Sequence, residues 1–150
     1  MQARAVETKF KELLMGIKLD GESRGFLREV RGWQPEPGAL PSLYYTYRPH
    51  DQVTGVGARN LGLETGVAEF IYSWVWELYI GVQRSTEDAL DRFMRFDYAL
   101  AMALNGNPNL GGACYGTSLR AQGDPGFSLE DNRRYLYVPM IFTATAEEGD

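Results

Sequence analysis

AEFIYSWVWELYIGVQRSTEDALDRFMRFDYALAMALNGNPNLGG, residues 68–112, changes its hydrophobic period once, and the change decides the fold. From Phe70 to Val82 every second residue is bulky and apolar: Phe70, Tyr72, Trp74, Trp76, Leu78, Ile80 and Val82. A period of two puts all of them on one face of a pleated strand. The alternate residues, Glu69, Ile71, Ser73, Val75, Glu77, Tyr79 and Gly81, make a mixed second face. Leu90, Phe93, Met94, Leu100, Ala101 and Leu104 then recur at helical spacing and predict one apolar stripe. Ser85 and Asp88 match a capping box, Glu87 and Asp88 complement the helix dipole, and Asn105-Gly106 with Pro108 beyond predicts a stop near Leu104. So apolar a strand face needs a cover, and the helix that follows it is the nearest one. A packed α+β domain is the expectation.

The rest of the chain builds outward from that unit. Val6, Phe10, Leu13, Leu14 and Ile17 form the stripe of an N-terminal amphipathic helix, with Glu7 and Lys11 four apart on its wet side and Gly21 as a stop. Residues 26–33 read as a weakly patterned strand, QPEPGALP (34–41) as loop, and residues 42–48 as a strand with Leu43, Tyr45 and Tyr47 on one face. Residues 49–67 hold four glycines and read as a long loop or hairpin arm. Residues 113–122 read as a strand, 123–132 as turn chemistry, and 135–145 as the last strand, in which Pro139 argues for a sheet edge or a bulge. Residues 146–150 read as an acidic tail. The expected fold is one α+β domain in the order α-β-β-β-α-β-β, its sheet mainly antiparallel or mixed, with the helices packed on one face.

Bulk properties narrow the partners. The 150 residues carry a net charge of −5, unevenly spread. Residues 1–50 hold eight basic and six acidic side chains, a balance of +2, and the remainder hold seven and fourteen, a balance of −7. A domain of that sign is a poor clamp for nucleic acid, which needs clustered Lys and Arg. Cys114 is the only cysteine, so no intrachain disulfide forms. The longest apolar run alternates in period two and contains Glu77, unlike a membrane-spanning helix, and no charged-then-apolar leader opens the sequence. A soluble, intracellular product is expected, with no membrane partner.

Motifs that carry chemistry are scarce. His50 is the only histidine, so a histidine-based metal cluster is excluded, and nothing in the pattern brings His50 to Cys114. Glu77 is the one carboxylate in an apolar setting, and a lone carboxylate in a strand reads first as a sheet-face or interface residue. Gly55-Val56-Gly57 and Leu110-Gly111-Gly112 match no phosphate loop and read as turns where glycine supplies positive φ. Arg133-Arg134 reads as a solvated pair at a strand entry. No catalytic, metal or cofactor site is expected, and the protein reads as a non-enzyme.

One arrangement has a family counterpart. An N-terminal helix, strands, a Trp-rich β segment and a helix closing on Ala101-Met-Ala-Leu-Asn, then Asn-Pro-Asn-Leu110-Gly111-Gly112 and two final strands, resembles the tail terminator (tail-completion) proteins of long-tailed bacteriophages. The resemblance spans roughly residues 5–146 and is one of order and length, with Asn-Pro-x-Leu-Gly-Gly as its short motif. It implies a structural virion protein, made in the host cytoplasm and housed in the tail or neck. Such subunits form a homohexameric ring that caps the tail tube, joins it to the head-neck connector and lets DNA pass without specific binding. A ring of six would carry a charge of six times −5, or −30, suited to letting phosphates slide. On this reading Ile71, Val75 and Tyr79 meet a neighbouring subunit, while Arg59 and Asn60 on the 49–67 arm touch a docking partner. The 49–67 segment and the aromatic density of residues 70–76 have no family counterpart, which leaves open a related head-completion or neck-connector role. A small cytoplasmic ligand-binding α+β protein, with its pocket beside Trp74 and Trp76, is the alternative of a different class.

Overall fold

The structure is a computed structural model that describes residues 2–19, 21–52, 68–130 and 133–148. Helix α1 (Gln2–Gly16) is followed by β1 (Glu29–Gly32), β2 (Ser42–Gln52), β3 (Ala68–Gly81) and α2 (Thr86–Gly106). A short left-handed turn (Leu110–Gly112) then leads to β4 (Gly116–Ala121), β5 (Gly126–Glu130) and β6 (Arg133–Glu148). The six strands form one mixed sheet in the order β1-β2-β3-β6-β4, with β5 also on β6; only β1 and β2 run parallel. The α+β class and the helices on one face are as the sequence predicts, with one strand more.

That extra strand lies where turn chemistry was expected. Residues 126–130 pair with β6 from Gly126↔Tyr137 to Glu130↔Arg133, while β4 pairs with it from Gly116↔Thr145 to Ala121↔Met140. β4 and β5 are therefore two lengths of one outer strand, interrupted at residues 122–125. Pro139 does not mark an edge, because β6 has β3 on its other side, with Glu77 opposite Pro139. The proline falls where β4 gives way to β5, and its carbonyl accepts the Gln122 N–H at 3.0 Å. Its missing N–H thus faces the break in the outer strand, where no ladder bond is lost. The expected acidic tail is also shorter, since β6 continues through Glu148. Likewise the first residues of the expected 49–67 arm continue β2 to Gln52, and residues 53–67 lie outside the described residues.

The core occupies the face that the period-two pattern assigns. In register, Leu78 sits between Leu43 and Val138, Trp76 between Tyr45 and Met140, and Trp74 between Tyr47 and Phe142. Phe10 of α1 lies over the centre, its ring 5.2 Å from those of Trp74, Trp76 and Phe142 and 5.3 Å from Tyr45. Trp76 stacks on Phe142 at 4.8 Å. Edge-to-face and stacked pairs of this kind add about 0.5–1.5 kcal/mol each beyond area burial.

Two predicted helix faces shift. Glu7 is not on a wet side: it accepts the Trp74 indole N–H at 3.0 Å and pairs with Arg4 at 3.4 Å rather than with Lys11. A buried indole usually finds an acceptor, and α1 supplies one to Trp74, whereas the buried Trp76 N–H has none among the described residues. On α2 the buried residues are Ala89, Phe96 and Leu100, with Leu90, Phe93 and Leu104 half-buried and Met94 and Ala101 exposed. The apolar residues of α2 outnumber those one side of a helix can bury, so the stripe rotates to seat Phe96, which packs on Phe26 at 5.2 Å. Ser85 caps α2 as predicted, accepting from the Asp88 N–H at 3.1 Å. Between α1 and β1, Gly25 passes so close that a Cβ would lie 2.3 Å from the Met15 carbonyl oxygen.

Candidate functional site

Among the described residues, the second face of the sheet has no helix over it. Its central rows are Thr46, Val75 and Ile141, then Arg48, Ser73 and Thr143, continued on β4 by Arg120 and Ser118. Val75, Ile71, Ser73, Ile141, Thr143 and Thr145 are all half-buried. Small β-branched side chains in register make a flat surface that pleats well and buries little. Ser118 and Thr143 hydroxyls meet at 2.6 Å across β4 and β6.

One end of this face is closed by the chain itself. The 33–41 loop turns back over it: Gly38 N–H donates to the Tyr44 hydroxyl at 2.8 Å, and Leu40 sits over Gly81. Arg133, expected to be solvated, instead donates to the Gly38 carbonyl at 2.9 Å and to the Pro37 carbonyl, pinning the loop to β6. Beneath and beside the loop lies a cluster of tyrosines, with Tyr79 5.8 Å from Tyr44 and 5.2 Å from both Tyr135 and Tyr137. The Tyr79 hydroxyl donates to Glu77 at 3.0 Å. Burial first, then that hydrogen bond and the carboxylate charge, push the Tyr79 phenol far above its ordinary range. Tyr137 is raised by burial and then by the same carboxylate. Glu77 is thus held as an acceptor within an aromatic cluster.

The predicted contact residues therefore separate. Ile71 and Val75 stand on the open rows; Tyr79 belongs to the intrachain tyrosine cluster at their end. Arg59 and Asn60 lie outside the described residues. Leu110, Gly111 and Gly112 form a left-handed turn with φ of 50°, 69° and 94°. Glycine explains the last two; Leu110 accepts the strain because its side chain is buried. The turn is a packing device between α2 and β4. Cys114 is buried, which pushes its thiol up and away from reactivity. The His50 side chain lies outside the described residues. Trp74 and Trp76 are wholly buried and fill the core, lining none of the depressions described here.

Two other surfaces escaped the sequence reading. A groove of about 530 Å³ runs between α2 and β4, lined by Phe93, Leu104, Leu119 and Met140 with Asp97 and Arg120 at its polar side. On the outside of α2, Met94, Tyr98 and Met102 are each more than half exposed at spacings of four. The sequence stripe includes Met94 but neither Tyr98 nor Met102, although their i, i+4, i+8 spacing is the signal of a second stripe. Among the described residues no group of three or more metal-ligating side chains assembles, and no helix is long and apolar enough to cross a membrane. Compared with known protein families and with curated proteins, the chain matches none.

Proposed function

We propose that this protein is a structural subunit whose work is packing against neighbours, and specifically a ring-forming tail terminator of a long-tailed bacteriophage. One observation carries the reading: β3 and β6, 14 and 16 residues long, present a flat open face with Ile71, Val75 and Ile141 half-covered. Strands of about five or six residues suffice for an ordinary sheet. A long sheet finished on one side and left open on the other suits a subunit whose second layer comes from the next copy, and repeated head-to-tail contacts close into a ring. The element order supports the same family, since the additional β5 is a continuation of the β4 edge. In this role the ring caps the tail tube and joins it to the head-neck connector, with DNA passing through. The family's neighbouring neck and head-completion proteins remain the runner-up, because the 49–67 segment has no family counterpart.

Native mass measurement of the isolated protein and of assembled particles tests this. A sixfold ring, alone or on tails, is expected, and Val75→Asp with Ile71→Asp should abolish it while leaving a folded monomer. A wild-type chain that stays monomeric and never enters a particle overturns the reading.

A further inference from the structure

A polar depression of about 330 Å³ lies between the 21–28 segment and the first half of α2, lined by Gly21, Glu22, Ser23, Arg24, Arg28 and Arg92 with neighbouring backbone. None of the three guanidinium groups has an ion pair or a hydrogen bond among the described residues, although Arg31 and Arg95 nearby in sequence are each paired with a carboxylate. Arg92 is held in place by the ring of buried Phe26, 5.2 Å from its centroid, and Phe26 is held in turn by Phe96. Gly25, which cannot carry a side chain so near the Met15 carbonyl, brings the segment bearing Arg24 down onto the end of α1. Among the described lining residues, three cations face the one carboxylate of Glu22, a local balance of +2 in a protein whose net charge is −5.

We propose that Arg24, Arg28 and Arg92 form a binding site for a tetrahedral, doubly charged oxyanion of the phosphate type. Each guanidinium offers five N–H donors in a planar fork. Three forks, two from the 21–28 segment and one from α2, exceed what a carboxylate's two oxygens can accept, whereas a phosphate presents oxygens in several directions and its dianion matches the local +2. A compact dianion is preferred over a long polyanion, because the acidic remainder of the molecule repels an extended chain of phosphates. The ligand is either free phosphate or the terminal phosphate of a small monoester. This site is independent of the assembly reading above, since it uses neither the open sheet face nor the α2–β4 groove.

Calorimetric titration at constant ionic strength tests the site, with inorganic phosphate and adenosine monophosphate as probes and a ten-residue single-stranded DNA as comparison. One saturable site is expected, weakened at least tenfold in Arg28→Gln and in Arg92→Gln. Equal or tighter binding of the monophosphate assigns the site to an ester, and binding of inorganic phosphate alone assigns it to the free anion. Arg28 is exposed, so its variant keeps the test valid if Arg92→Gln disturbs the packing on Phe26. Affinity unchanged in both variants, no saturable binding of either probe, or tighter binding of the DNA overturns the proposal.

Discussion

The two faces of this sheet share the same strands and differ in almost everything else. On one, Trp74, Trp76, Phe142 and Tyr45 converge on Phe10, and the Trp74 indole N–H finds Glu7. On the other, Thr, Ser, Val and Ile lie in rows with no layer of described residues above them. The first face carries the core of the subunit; the central rows of the second are only half-buried.

Mutations can break that contrast. Phe10→Ala should produce the largest effect, a loss of about 3–5 kcal/mol in chemical denaturation, because it empties the centre of the ring cluster. A loss below that of an open-face substitution would refute the assignment of the core. Glu7→Leu comes next, costing about 1–3 kcal/mol by orphaning the Trp74 N–H, whereas Glu7→Gln keeps an acceptor and should recover most of it. Val75→Thr should change the stability of the isolated subunit by no more than about 0.5 kcal/mol, since it alters a half-exposed row without leaving a cavity. A large destabilisation there would mean that the open face is part of the fold after all.

The tyrosine cluster at the end of the open face gives the smallest and most local test. Tyr79 has a folded pKa raised above its unfolded value of about 10. The stabilisation it confers is therefore complete below about pH 10 and is lost as pH rises beyond it, when the unfolded chain ionises first. Ultraviolet titration should show more than one phenol ionising late, Tyr79 the latest, and Glu77→Gln should bring Tyr79 part of the way back, since burial is the larger cause of its shift. Identical titration of all tyrosines would disprove the Tyr79–Glu77 contact.

Much of this was legible in the sequence because period is a local property. The switch from two to 3.6 within residues 68–112 required only the spacing of apolar side chains, and so did the α1 stripe. What stayed hidden depends on contacts far apart in the chain. Glu7 looked wet because nothing near it in sequence announces Trp74, 67 positions away. Arg133 looked solvated because its acceptors, Pro37 and Gly38, come from a loop almost a hundred residues earlier. On α2, Met94 and Phe96 compete for the same core, and only the docked geometry chooses. β5 was mistaken for a turn because Gly, Asp and Pro at its entry belong to the interruption between two lengths of one strand. Of the candidate contacts, Ile71 and Val75 could be placed by alternation alone, while Tyr79 needed three other tyrosines to reveal its place.

Pro139 has a consequence for how the outer edge is assembled. β4 and β5 meet the same strand with registers that differ by two residues, and the proline sits at the point of mismatch. The register of β4 on β6 is thus set separately from that of β5 on the same strand. On its outer edge β6 is read in two independent lengths, while on its inner edge β3 holds one unbroken register from Ala68↔Glu148 to Gly81↔Tyr135, so only the outer edge can absorb a two-residue offset without turning a side chain to the wrong face.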